Sequence, residues 1–206
     1  MFINILDKKR IEILPKLKEF KKDFYLAGGT GLAFQLGHRD SIDFDLFCNK
    51  DLDNIKLFTK IQEVFKGYKI VKTQDEKNTL SITIDDNIKI SFLSYKYKLV
   101  DKLIENEYFK IASILDIACM KLSAVLGRTT NKDYIDLYFI LQKISLKEVL
   151  EKLKIKMPEL SRGLVLKSLV YFKDIRREKI KFKNNNNITF KLVQEFLVKE
   201  VDKIND

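Results

Sequence analysis

Residues 24–47 read FYLAGGTGLAFQLGHRDSIDFDLF and place a glycine turn shortly before two carboxylates. Four of the seven glycines in the chain fall between Gly28 and Gly37, directly after an apolar run. Glycine lets a backbone approach a ligand closely, as a phosphate-binding turn requires. Asp43 and Asp45 follow inside a second apolar run, and one or two carboxylates commonly hold the magnesium that accompanies phosphates. The stretch therefore predicts a site for phosphates and their metal ion.

The two carboxylates fit a short strand, which we expect over residues 41–47. Alternate residues of a strand face opposite sides, so Asp43 and Asp45 would share one face while the apolar residues around them face the core. Both acids could then reach one metal ion. A surface strand with two solvated acids would carry the same pattern, because an Asp-x-Asp pair alone is a weak signal.

The glycine turn supplies the other half of the predicted site. Gly28, Gly29 and Thr30 lie between a predicted strand over 24–27 and a predicted helix over 31–37. Backbone N–H groups of such a turn, together with the helix N-terminus, bind anions. Thr30 would either cap the helix or hydrogen-bond a phosphate, and an ordinary strand-to-helix turn is the alternative. Neither GxxxxGKS/T nor GxGxxG occurs, which argues against a P-loop and a dinucleotide-binding fold.

The first half of the chain reads as an α+β unit with a mixed sheet. Apolar periodicity predicts three further strands, over 68–73, 79–84 and 88–94, and helices over 5–22 and 51–65. We assign this unit to residues 1–100.

The second half, residues 101–206, reads as a helical domain. Helical patterning recurs in five segments, 113–126, 132–143, 146–154, 159–172 and 190–204. The last two segments are separated by KDIRREKIKFKNNNN, residues 173–187, a basic and polar run that predicts a loop.

Composition and charge narrow the class of protein. The 206 residues carry a formal net charge of +10, a balance that suits a polyanionic partner such as RNA. Only six of the 39 basic residues are arginines, so the lysine-rich composition could equally reflect an AT-rich genome. No apolar run is long enough to span a membrane and the N-terminus lacks a secretory-signal pattern, which predicts a cytoplasmic protein. Cys48 and Cys119 are expected to be free thiols.

A glycine turn followed by an Asp-x-Asp strand resembles the signature of the polymerase-β-like nucleotidyltransferases. Within that superfamily, this stretch is similar to the AbiEii-type nucleotidyltransferase toxins of bacterial toxin–antitoxin pairs. Their pattern runs GGT-x-L, then Gly-His-Arg, then Ser-x-Asp-x-Asp-Leu-Phe. It is matched by Gly28, Gly29, Thr30, Leu32, Gly37, His38, Arg39, Ser41, Asp43, Asp45, Leu46 and Phe47.

A second block strengthens the resemblance. Residues 121–141 read KLSAVLGRTTNKDYIDLYFIL and are similar to the later Lys…Arg…Asp-x-x-Asp-Leu motif of the family. The matching positions are Lys121, Arg128, Asp133, Asp136 and Leu137. The resemblance covers about residues 20–142, and it implies a polymerase-β-like mixed sheet followed by a C-terminal helical bundle.

The resemblance implies an NTP substrate and a magnesium ion held by Asp43 and Asp45. Lys121 would take part in catalysis, and Lys121 and Arg128, seven residues apart, would share one helix face. A solvated helix face is the alternative for both. The residues expected to bind the nucleotide are Gly28, Gly29, Thr30, Arg39, Ser41 and Arg128. Asp133 and Asp136 would support these groups, Asp136 by orienting Lys121 or Arg128.

The family further implies a toxin that transfers a nucleotide to an RNA end, such as that of a tRNA, and that is opposed by a separately encoded antitoxin. Two other classes of function fit the same residues. One is a non-catalytic nucleotide- or RNA-binding relative, and the other is a nucleotidyltransferase that modifies a small molecule.

One position departs from the superfamily pattern. Many polymerase-β-like enzymes carry a third carboxylate on a later strand, where this chain has Ser91. Either one magnesium ion suffices, or a carboxylate from elsewhere completes the site, or the chain is a weakened or inactive relative. His38, the only histidine, is expected to shape the loop before the acid pair.

Overall fold

The structure is a computed structural model that describes residues 1–128 and 130–205. These ranges contain seven strands: β1 (Tyr25–Ala27), β2 (Phe44–Cys48), β3 (Ile70–Glu76), β4 (Thr79–Ile84), β5 (Ile88–Ser94), β6 (Ile104–Glu105) and β7 (Lys110–Ile111). The strands form one sheet in the order β3-β4-β5-β2-β1-β7-β6. β2 pairs in parallel with β5, and β1 with β7, whereas the other neighbours are antiparallel. The sheet is therefore mixed, as predicted.

The same described ranges contain eight α-helices: α1 (Lys8–Leu17), α2 (Gly28–Leu36), α3 (Asn54–Val64), α4 (Ile114–Gly127), α5 (Asn131–Leu141), α6 (Leu146–Lys156), α7 (Arg162–Leu169) and α8 (Phe190–Asn205). Several begin where a short polar side chain accepts a hydrogen bond from a first-turn N–H group, as helix N-caps do. These caps are Asp7, Asp53, Ser113, Ser145 and Ser161. The predicted α+β class is confirmed. None of the described helices is long and apolar enough to cross a membrane.

β2 lies at the centre of the sheet, and its residues alternate between a fully buried face and the half-buried face that carries Asp45. Phe44, Leu46 and Cys48 are buried, and they alternate with the half-buried Asp45 and Phe47. This alternation is the period of two that the sequence predicted. It turns Asp45 away from the core beneath the sheet.

The start of β2 differs from the prediction. The strand begins at Phe44, so Asp43 precedes it, and the side chain of Ile42 is 52% exposed instead of facing the core. The helix before it also starts earlier than predicted, since α2 begins at Gly28 and ends before Gly37, which has a left-handed φ of 62°. The short strands β6 and β7 were not predicted.

Two clusters of buried hydrophobic residues cover the two faces of the sheet. Leu26 of β1 belongs to a cluster with α1 and α3, whereas Tyr25 and Ala27 belong to a cluster with the helices that follow Ala112. The division into domains 1–100 and 101–206 remains a proposal, and β6 and β7, which follow residue 100, join the sheet.

The run between α7 and α8 is attached to the sheet half by backbone hydrogen bonds. We call residues 173–187 the connecting segment; they form no helix or strand. The N–H group of Asp40 donates to the carbonyl oxygen of Lys181 (2.8 Å), and that of Lys183 donates to His38 (3.0 Å). The N–H group of Asn131 donates to the carbonyl of Arg176 (3.2 Å). The segment therefore borders the start of β2 and of α5.

Candidate active site

The glycine turn is shaped by the side chains that lie against it. Gly28 has a φ of +64°, and a Cβ atom there would lie 2.7 Å from Oδ2 of Asp45. A Cβ atom on Gly29 would lie 2.7 Å from Nη2 of Arg39. The two glycines therefore allow Asp45 and Arg39 to contact the start of α2, a requirement within the protein that adds to the predicted approach of phosphates.

Thr30 fixes the segment that leads into β2. Its hydroxyl donates to the carbonyl oxygen of Asp43 and is hydrogen-bonded to the hydroxyl of Ser41 (2.8 Å). The side chain is buried, so its hydrogen-bonding capacity is directed at the protein. The contact positions Asp43 beside the first turn of α2.

Asp43 and Asp45 form an acid pair that faces the helical half. Among the residues that the structure describes, neither carboxylate belongs to an ion pair of 4.0 Å or less. Burial, and next the negative charge of Asp43, raise the pKa of Asp45 above its usual value. Two like charges close together in a partly buried place favour a cation between them.

Asp136 of α5 is the centre of a buried ionic network. It accepts hydrogen bonds from Nε and Nη2 of Arg39 (2.7 and 2.8 Å) and is 2.8 Å from Nε2 of His38. Nζ of Lys121 lies 2.7 Å from its other oxygen. Burial alone would raise the pKa of Asp136, but Arg39 and then Lys121 hold it well below its usual value. Asp136 is therefore ionised and fixes three side chains at once.

Lys121 of α4 is held between two carboxylates. Its Nζ atom lies 2.6 Å from Oδ1 of Asp133 and 2.7 Å from Oδ2 of Asp136. Arg128 contacts Asp133 through Nε (3.0 Å) and Nη2 (3.1 Å), and its side chain is 66% exposed. The sequence left open whether Asp136 pairs with Lys121 or Arg128; the structure pairs it with Lys121, and Asp133 contacts both cations.

Arg39 and His38 are buried within the ionic network around Asp136 and are not exposed to solvent. The guanidinium of Arg39 donates two hydrogen bonds to Asp136 and one to the carbonyl of Asp40 (3.0 Å), so each of its nitrogen atoms has a partner within the protein. His38 is buried, and its ring packs against Phe139 with centroids 4.9 Å apart. Burial lowers the pKa of His38, so the imidazole is neutral at pH 7. Both residues position the loop before β2.

A cleft of about 670 Å³ opens between the acid pair and helices α4 and α5. The side chains and backbone of most predicted site residues line it: Gly29, Arg39, Ser41, Asp43, Asp45, Lys121, Arg128 and Asp133. Gly28 lines an adjoining pocket, whereas Thr30 and Asp136 are buried behind the wall. Gly29 and Asp133, which are 104 positions apart in sequence, thus meet at one cavity.

The cleft is also lined by residues that sequence reasoning did not select, among them the charged residues Lys89, Lys132, Arg176 and Glu178. Lys89 lies two residues before Ser91 on β5, so strand alternation could have indicated it. Arg176 and Glu178 belong to the connecting segment, where no periodic pattern marks them. Glu178 contacts Lys132 (2.6 Å), which is the main reason that its pKa falls to about 2.

Ser91 occupies the position beside Asp45. The two residues are in register across the parallel pair of β2 and β5, and Oγ of Ser91 lies 3.2 Å from Oγ of Ser81. In residues 1–128 and 130–205, no group of three or more His, Cys, Asp or Glu side chains is placed to hold a metal ion. Two carboxylates still suit magnesium, because that ion completes its shell with water and substrate phosphate oxygens.

Comparison with known proteins identifies a family and one relative of high coverage. Residues 13–198 match the family described as "Nucleotidyl transferase AbiEii toxin, Type IV TA system". An uncharacterised protein of Aquifex aeolicus (strain VF5) is 38% identical over 181 residues, which cover 84% of this chain and 86% of that protein.

Two solved structures share the fold at low sequence identity. MenT4, a nucleotidyltransferase toxin of Mycobacterium tuberculosis H37Rv, aligns with a TM-score of 0.66 at 12% identity, covering 95% of this chain and 82% of that one. A candidate nucleotidyltransferase of Helicobacter pylori aligns with a TM-score of 0.59 at 18% identity, covering 97% and 96%. These two likenesses concern the fold alone.

Proposed function

The chain belongs to the AbiEii family of nucleotidyltransferase toxins, and we propose that it moves a nucleoside monophosphate from an NTP to an acceptor hydroxyl in a magnesium-dependent reaction. The family membership confirms the resemblance seen in the sequence and makes the chain a nucleotidyltransferase. The observation that carries the proposal is the meeting of Asp45, Lys121 and Arg128 at one cleft beside the glycine turn.

The acid pair has the chemistry of a magnesium site. Asp43 and Asp45 would hold the ion, and Thr30 supports them through its contact with the backbone of Asp43. When bound, magnesium neutralises phosphate charge and orients the phosphate undergoing substitution. The raised pKa of Asp45 agrees with a carboxylate that gains a cation with its substrate.

The phosphates would lie between the glycine turn and α4. The N–H groups at the start of α2 have no partners within the helix and favour an anion. Arg128 presents an exposed guanidinium suited to a phosphate, and Ser41 lines the same wall. Lys121 neutralises charge that develops in the transition state, held in place by Asp133 and Asp136. Arg39, which is bound to Asp136, then acts by positioning the loop before β2.

The reaction follows from this placement. The acceptor oxygen attacks the α-phosphorus of the NTP, a new P–O bond forms, and the bond between the α-phosphorus and the β-phosphate oxygen breaks. Pyrophosphate leaves, and the hydroxyl proton passes to water. The protein's part is to align the two reactants and to surround the departing phosphates with positive charge.

We propose an RNA end, such as that of a tRNA, as the acceptor and the cytoplasm as the compartment. Lys89, Lys132 and Arg176 line the cleft, and the chain carries a net charge of +10; both features suit a polyanion. The family description, a toxin of a type IV toxin–antitoxin system, supports a cognate antitoxin protein as the partner.

A non-catalytic nucleotide-binding relative is the second candidate, and Ser91 is the observation that favours it. A hydroxyl beside Asp45 leaves the acid pair without the third carboxylate of related enzymes. A small-molecule nucleotidyltransferase is a weaker candidate, because the wall of the cleft is rich in basic side chains.

One experiment separates these candidates. The protein is incubated with each α-labelled NTP, magnesium and total RNA, and the products are resolved by size. We expect label on a discrete RNA band, lost in Asp43→Asn and retained in Asp75→Asn, which removes an exposed carboxylate of β3. NTP binding without label transfer to RNA or to small molecules would favour the non-catalytic candidate.

A further inference from the structure

A second pocket of about 350 Å³ adjoins the cleft. We call it the apolar chamber, because most of its wall comes from Phe47, Leu93, Tyr95, Ile117, Met120 and Ala124. It shares three residues with the cleft, Asp45, Lys121 and Arg128. The charged boundary between the two spaces is therefore the set of side chains proposed to act on the phosphates.

Strand register produces this change from polar to apolar. Phe47 follows Asp45 by two residues on the same face of β2, and it lies beside Leu93 of β5, just as Asp45 lies beside Ser91. Moving two residues along the sheet thus leads from a carboxylate and a hydroxyl to an aromatic ring and a leucine side chain.

Aromatic rings form the far wall of the apolar chamber. The ring centroids of Phe47 and Tyr95 are 5.8 Å apart, and Phe47 also stacks on Tyr25 at 6.0 Å. Phe47 and Tyr95 are half-buried, so each keeps accessible surface. On the opposite side, Ile117, Met120 and Ala124 lie at helical spacing on α4.

The chamber suits a flat, uncharged group that is joined to an anion. Its charged side chains, Asp45, Lys121 and Arg128, are those that also line the cleft, and its other polar groups are the hydroxyl of Ser123 and the buried hydroxyl of Tyr95. We propose that the apolar chamber binds the nucleobase of the NTP, with the triphosphate at the charged boundary and the polar cleft left for the acceptor. This inference rests on the proposed function.

The chamber also predicts weak discrimination among bases. Stacking on an aromatic ring tolerates every base because each has a π face. Of the two hydroxyls on the side chains of the chamber, that of Tyr95 is buried, which leaves Ser123 to read a base edge. We expect the dissociation constants of the four NTPs to lie within about tenfold of one another.

The absence of tryptophan from the chain makes the chamber directly observable. Phe47→Trp introduces a single indole into the chamber wall. Ile42→Trp is the matched control, because Ile42 is exposed and lines the cleft but not the chamber. Each variant is titrated with the four NTPs and with inorganic triphosphate in the presence of magnesium.

We expect each NTP to quench the indole of Phe47→Trp in a saturable manner. Inorganic triphosphate should displace the NTP without quenching, and Ile42→Trp should show no base-dependent change. Quenching of Phe47→Trp by inorganic triphosphate to the same extent would overturn the inference, and so would a base-dependent response confined to Ile42→Trp. Quenching by an RNA oligonucleotide alone would assign the chamber to the acceptor, with the same consequence.

Removal of the Phe47 ring tests how much it contributes to NTP binding. Phe47→Ala should raise the dissociation constant of the NTP by about five- to hundredfold, the range of one base–aromatic contact, whereas Lys132→Ala, at the cleft, should change it less. If Phe47→Ala does not fold, the indole titration still decides. Quenching without nucleotide transfer would contradict the proposed function only, and transfer without quenching would contradict the base site only.

Discussion

Asp45 on β2 lies in register with Ser91 on β5, so the strand position beside one acid of the pair holds a hydroxyl. The Oγ atom of Ser91 is hydrogen-bonded to Ser81, and its side chain lies on the same face of the sheet as that of Asp45. This pairing defines where a third carboxylate would lie.

Ser91→Asp should therefore complete an acid triad. The added charge lies next to Asp45, so without metal the free energy of unfolding should fall by about 1–3 kcal/mol. Magnesium should restore part of that loss, and the magnesium concentration that gives half-maximal transfer should decrease. Urea unfolding with and without magnesium measures the first effect, and Ser91→Asn is the uncharged control. An unchanged magnesium requirement would place Ser91 outside the metal site.

Asp136→Asn should destabilise the fold strongly. The variant leaves Arg39 and Lys121 buried without their shared counter-charge, and breaking a buried ion pair costs about 3–5 kcal/mol. Urea unfolding at pH 7 measures the loss. Asp75 is an exposed carboxylate that contacts Lys72 (2.6 Å) and accepts a hydrogen bond from Asn54 (2.7 Å), and Asp75→Asn should change stability by less than about 0.5 kcal/mol. Equal effects of the two variants would contradict the network.

The contribution of Asp136 should depend on pH with a fixed sign. Its folded pKa is held well below the usual 3.8, so the unfolded state takes up its proton first as pH falls. The stabilisation is fully present well above pH 3.8 and declines as pH falls through the folded pKa. The difference in unfolding free energy between wild type and Asp136→Asn should thus narrow on acidification. A constant difference between pH 7 and pH 2.5 would show that the charge of Asp136 contributes nothing.

Gly28→Ala should damage the site as well as the backbone. A positive φ costs a non-glycine residue about 1–2 kcal/mol, and the new Cβ would lie 2.7 Å from Oδ2 of Asp45. Gly67→Ala is the matched control, because Gly67 also has a positive φ (93°) but nothing within 4 Å of a Cβ atom. Both variants should lose stability, and only Gly28→Ala should lose transfer activity. Equal activity of the two variants would contradict the contact with Asp45.

Local sequence patterns predicted the parts of the site that lie on single elements. Alternation placed Asp45 opposite the buried Phe44 and Leu46, and glycine spacing located the turn before α2. The same reasoning misplaced the start of β2, because hydrogen bonds from Thr30 to Ser41 and to the backbone of Asp43 fix the segment before it. The alternation of polar and apolar residues does not reveal such contacts.

Long-range pairing accounts for what the sequence left open. Asp136 meets Arg39 across 97 positions, and the choice between Lys121 and Arg128 as its partner depends on how α5 packs against α4. The two-residue strands β6 and β7 are too short to show a period. Glu178 reaches the cleft because backbone hydrogen bonds attach the connecting segment to the loop before β2 and the start of α5.

The most direct test of the central claim is nucleotide transfer by Asp45→Asn. This variant keeps the shape of the side chain, and because burial raises the pKa of Asp45, removing its charge should leave the metal-free thermal stability unchanged or higher. We predict that transfer of label from NTP falls by at least about hundredfold at saturating magnesium. A folded Asp45→Asn protein that transfers label at the wild-type rate would contradict the assignment of the acid pair.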